Sequence, residues 1–150
     1  MTRVLLLSVL VLGAVSCSAL KLAPADFSWP VETVLKPDAA GNIEIQRYSS
    51  SFNVIGLFVE EKQDSTSFKD SELRIIKNHE GYYFVTASGF KNVYVFEECE
   101  SALCLYSKIA VSETPFSSVA FNQRKPVIEL ITGEVKYNLQ KDGVIKEWKT

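Results

Sequence analysis

The stretch GYYFVTASGFKNVYVF (residues 81–96) holds two runs of β-branched and aromatic residues on either side of Ser88-Gly89. Runs of that composition, broken by Gly, Ser or Asn, predict strands joined by a turn. An even turn there, of two or four residues, puts Tyr82 and Phe84 on one face with Val93 and Val95. Tyr83, Val85 and Ala87 then share the other face with Tyr94 and Phe96, because side chains alternate along a strand. Both faces are apolar. The hairpin is therefore either central and covered on both sides, or it offers one aromatic face to a ligand or partner. Tyr83, Tyr94 and Phe96 are the candidate binding surface. With their hydroxyls outward, the tyrosines would make a platform for stacking a sugar or docking a protein.

The same signature extends in both directions. Towards the C-terminus, LCLYSKIAV (103–111) follows, and then VIELI (127–131), EVKYNL (134–139) and VIKEW (144–148) read as a three-strand meander. Its turns fall at Thr132-Gly133 and Asp142-Gly143, and Asp-Gly accepts positive φ cheaply. Towards the N-terminus the expected strands are ELRII (72–76), FNVIGLFVE (52–60), IEIQRY (43–48) and VETVLK (31–36), with a polar loop over 63–71. About nine or ten short strands with short serial connections predict an all-β fold. The expected architecture is a single antiparallel meander over 31–150, closed as a small barrel or folded into a two-layer sandwich.

Composition agrees with a folded core, at 47% hydrophobic and 11% aromatic residues. A net charge of −2, well mixed along the chain, offers no basic stripe for nucleic acid. No cofactor motif stands out, and the single histidine, His79, excludes the usual multi-histidine zinc sites. His79 lies in the turn 78–81 and reads as a solvated turn residue rather than a catalytic base. Glu60-Glu61 and Glu97-Glu98, with Glu100 beyond, read as solvated charges at strand ends, not as a glycosidase pair. Neither catalytic nor metal-ligating residues are expected.

The opening MTRVLLLSVLVLGAVSCSALK has one basic residue, Arg3, before an apolar run from Val4 to Val15 interrupted only by Ser8. About 20 apolar residues are needed to span a bilayer as a helix, so this run predicts a cleaved export signal over 1–16. The tetrad Ala14-Val15-Ser16-Cys17 resembles the lipobox of bacterial lipoproteins. That resemblance implies diacylglycerol on the Cys17 sulfur, usually an acyl chain on its nitrogen, and a tether over 17–30. It further implies a place in the cell envelope, at the bacterial outer membrane first of all. The alternative is an ordinary cut near Ala19 and a secreted product. None of the six asparagines lies in an Asn-x-Ser/Thr site.

Three cysteines in an exported chain require one to be accounted for separately. Loss of Cys17 to the anchor or to the cut leaves Cys99 and Cys104, which frame four residues between two expected strands. The spacing predicts a disulfide clipping that hairpin.

The size and strand succession are similar to those of lipocalins and fatty-acid-binding proteins. No Gly-x-Trp precedes the first strand and no helix pair separates the first two, so neither family is assigned. The first functional expectation is a lipid-anchored, non-enzymatic β-module that binds an envelope protein or glycan. The alternative is a small soluble carrier of an apolar ligand inside a lipocalin-like barrel.

Overall fold

A computed structural model describes residues 22–46, 50–100 and 102–145 of the chain. The expected export signal over 1–16, Cys17 and Trp148 lie outside the described residues. Eleven strands and one helix follow in order: β1 Thr33–Leu35, β2 Asn42–Ile45, β3 Ser50–Asn53, α1 Ile55–Lys62, β4 Leu73–Lys77, β5 Tyr83–Ala87, β6 Asn92–Cys99, β7 Ala102–Ala110, β8 Ala120–Arg124, β9 Val127–Thr132, β10 Val135–Gln140 and β11 Gly143–Ile145.

The fold is mostly antiparallel β, as the alternation requires, but it is not a single meander. Five strands form one sheet in the order β1-β4-β5-β6-β7, four form a second in the order β11-β10-β9-β8, and among the described residues β2 pairs only with β3. The described strands do not close into a barrel. The five- and four-stranded sheets meet where β4 lies beside β8 and β7 beside β11. Phe84, Val95, Ile128, Leu130 and Leu139, all without solvent exposure, belong to the core that results.

Two segments depart from the alternation reading. FNVIGLFVE, expected as one strand, divides into the end of β3 and the whole of α1. Its Val, Ile and Phe content favours a strand, and an eight-residue helix is marginal alone. Local hydrogen bonds and packing decide otherwise. The Asn53 side chain accepts the Ile55 N–H at 3.1 Å, and Gln63, in the left-handed region, donates back to the Val59 carbonyl at 2.9 Å. Phe58 is buried edge-on against Phe90 and Phe68, with ring centroids 5.0 and 6.5 Å away. Gly41 admits this arrangement. Its φ is +79°, and a Cβ there would stand 2.4 Å from Ile55 Cγ1.

The second departure is β8, which makes the C-terminal sheet four-stranded. Arg124 pairs with Val127 across Lys125-Pro126, whose peptide bond is cis. Ala120–Arg124 has two polar residues and an arginine among its five, so the composition rule passes over it. Pairing with β9 and burial of Phe121 make it a strand.

Register in the central hairpin follows the even turn. Tyr83 pairs with Phe96, Phe84 with Val95 and Val85 with Tyr94. Phe84 and Val95 therefore share a face. Both faces are covered, by different layers. On the Tyr82 side, Lys141 of the β10–β11 turn stands 4.7 Å above the Tyr82 ring, and its carbonyl accepts the Ser107 hydroxyl. On the Tyr94 side lies α1, whose Glu61 accepts the Tyr94 hydroxyl at 3.0 Å.

Candidate functional site

On the α1 side of the central sheet, an open groove of about 1200 Å³ runs between the β6–β7 arm and the segment formed by β3 and the start of α1. Tyr83, Tyr94 and Phe96 contribute to its floor, so the structure brings the three candidate residues together. It does not expose the tyrosines. Tyr83 is 5% and Tyr94 2% accessible, which corrects the expectation of an outward-facing tyrosine platform. The physical reason is the second covering layer. Trp29 meets the Tyr83 ring edge-on at 5.5 Å, Phe90 meets Tyr94 at 6.2 Å, and both hydroxyls are bound to carboxylates.

Those carboxylates are the acidic residues expected at the solvated surface. Glu61 is instead a half-buried hub. It accepts the Lys91 backbone N–H at 3.0 Å, the Asn92 amide at 2.5 Å and the Tyr94 hydroxyl at 3.0 Å. Burial, followed by the bond to Glu61, pushes the Tyr94 phenol far above its ordinary pKa. Glu98 Oε1 accepts from both the Tyr83 hydroxyl and Lys77 Nζ, the latter at 2.8 Å. Lys77 also donates to the Tyr83 oxygen at 2.9 Å. The bond from Lys77, then that from Tyr83, holds Glu98 below the usual carboxylate range. Burial first, and then the bond to Glu98, raises Tyr83. For Lys77, burial opposes the charge, but the bonds to Glu98 and Tyr83 outweigh it and raise the pKa. Each proton thus stays where the three-way contact needs it.

The apolar wall comes from an irregularity in β7. Val95 pairs with Ser107, yet Phe96 pairs with Leu105, so Tyr106 is an extra residue in the ladder. Such a bulge inverts the facing of everything beyond it. Without it Leu103 and Leu105 would share the facing of Ser107 and Ile109, towards the other sheet. With it they stand beside Phe96 and line the groove, together with Phe52 and Leu57 from the opposite wall. Leu105 is 55% exposed there. Tyr106 turns the other way, its ring 4.8 Å from Tyr82 and its hydroxyl 3.1 Å from Asp142.

Cys99 and Cys104 are at disulfide-bonding distance, with Cα atoms 5.9 Å apart. The expected four-residue loop is shorter in fact. Cys99 pairs with Ala102 and Cys104 with Glu97, so the bridge joins diagonal neighbours at the tip of the arm. His79 is half-buried, its Nδ1 shielded from solvent without a hydrogen-bond partner, and not the solvated turn residue expected. Among the described residues no three His, Cys, Asp or Glu side chains cluster as metal ligands, and no helix is long and apolar enough to cross a membrane.

Neither the helix nor the bulge leaves a compositional signal, so the groove they create was not readable beyond its three floor residues. No protein-family model matches the chain, and neither a curated protein nor a solved structure matches it.

Proposed function

We propose that this chain is an exported, lipid-anchored, non-enzymatic module that holds a small apolar ligand in the groove at the bacterial cell envelope. The observation that carries the reading is the apolar wall of Phe52, Leu57, Phe96, Leu103 and Leu105 in an open groove of about 1200 Å³. Ligand sites are concave and mostly apolar, with a few polar groups that fix orientation, and about 300–1,000 Å³ is their usual size. Most of the polar groups at or beside this one are tied to neighbours, Glu98 with Tyr83 and Lys77, Glu60 with Lys108, and Glu61 with Tyr94. That mutual engagement supports holding a ligand rather than transforming it. The carrier function moves accordingly from a barrel interior to an external groove, because the space between the sheets is filled by side chains without solvent exposure. The anchor rests on Cys17 at the end of a run too short to span.

The test titrates the full chain with N-phenyl-1-naphthylamine, a neutral apolar fluorophore. Saturable binding is expected, and Leu105→Gln should weaken it by about fivefold, the worth of roughly 1 kcal/mol of lost apolar contact. Leu105 is exposed enough for the fold to survive the change. Unsaturable binding, or binding indifferent to Leu105→Gln, would refute the groove. The anchor is checked by the N-terminal mass of the native protein, which should carry acyl chains on Cys17 and none after Cys17→Ser.

A further inference from the structure

The polar groups around the groove are not symmetric in charge, and this bears on what it holds. Glu60, Glu98 and Glu100 line it, against Lys108 and the lysine bonded to Glu98, Lys77. Three carboxylates thus stand against two ammonium groups. The excess sits at the tip of the arm. Glu60 is matched by Lys108 at 2.8 Å, beside the Tyr94 ring. Glu98 uses only Oε1 for both Lys77 and Tyr83, which leaves Oε2 without a partner among the described residues. The Lys77 side chain is 13% exposed, behind the carboxylate rather than in the groove. Glu100 has no hydrogen bond or ion pair among the described residues.

These free acceptors adjoin the apolar wall. Glu98 is two residues along β6 from Phe96 on the same face, about 7 Å away by strand geometry, and it pairs directly with Leu103. A ligand with its body against Phe96, Leu103 and Leu105 would bring its head to Glu98 and Glu100. The aromatic floor is also compatible with positive charge, since Lys77 and Lys108 already stand 4.5 and 5.5 Å above the Tyr83 and Tyr94 rings. We propose that the groove selects amphipathic cations, with an apolar chain on the Phe96-Leu103-Leu105 wall and an ammonium head between Glu98 and Glu100. The proposal rests on the apolar-ligand function above and names the chemical class of that ligand.

Calorimetric titration of the full chain with dodecylammonium and with dodecanoate, both below the onset of micelles, tests it. Dodecylammonium should bind at least about fivefold more tightly, the factor that one charge pair near 4 Å is worth in water. In Glu98→Gln combined with Glu100→Gln, the two affinities should converge. Glutamine keeps an acceptor for Lys77 and Tyr83, and circular dichroism checks that the fold is intact. Equal or tighter binding of dodecanoate overturns the cation selectivity while leaving the apolar groove standing. A preference that persists in the double variant overturns the assignment to Glu98 and Glu100. If neither amphiphile binds, or Leu105→Gln leaves both affinities unchanged, the groove itself fails and the selectivity with it.

Discussion

Phe84 lies directly across from Val95, between the five- and four-stranded sheets, with no solvent exposure. Removing its ring would leave a cavity that close-packed neighbours fill only in part. Phe84→Ala is therefore expected to lower unfolding free energy by about 3–5 kcal/mol in urea titration. A loss below about 1 kcal/mol, the level of surface substitutions, would mean that this face is not core. Tyr83 and Tyr94, on the opposite face, make a pH prediction. Burial and carboxylate partners raise both phenols above their ordinary 10.0. A raised folded pKa contributes stability that is complete below the unfolded value and is lost as pH climbs past 10.0 towards the folded one. Both should therefore stay protonated until the chain unfolds in alkali. The reversible phenolate absorbance of Tyr83→Phe combined with Tyr94→Phe should equal that of the parent chain. A smaller signal in the variant would show that one of the two titrates freely.

At the scale of elements, α1 is the helix that alternation missed, and Gly56 gives it a direct test. Gly56 stands in the first turn of α1, where glycine costs more backbone entropy than alanine, and a Cβ there meets nothing within 4 Å. Gly56→Ala should then stabilise by about 0.5–1 kcal/mol on thermal or urea melts. A loss of stability instead would contradict the open surroundings and the helical backbone at Gly56. The hairpin 81–96 was legible because its facing depends only on period-two alternation and an even turn, and the register obeys both. Helix α1 was not, because its identity comes from Asn53, Gln63 and the Phe58 pocket, which are contacts at both ends and across the chain. The bulge at Tyr106 was equally silent. LCLYSKIAV alternates well enough to read as one flat strand, and only the partner strand reveals that Leu105 and Ser107 face opposite ways. The place of Phe96 in the groove follows from facing alone, while those of Leu103 and Leu105 require the bulge.

Across the whole molecule, the hairpin's two apolar faces are explained by two different covers. The four-stranded sheet covers Phe84, Val93 and Val95 on one. On the other, β2–β3 and α1 cover the Tyr94 end but stand off from the tip of the β6–β7 arm, and the groove is the space left between them. The proposed function is thus tied to an incomplete third layer rather than to a hollow interior. Backbone amide chemical-shift mapping during titration with N-phenyl-1-naphthylamine tests this claim most directly. The account predicts shifts concentrated at Phe52, Leu57, Phe96, Leu103 and Leu105, with Ile128, Leu130 and Leu139 unmoved. Shifts centred instead on those three residues between the sheets would contradict it.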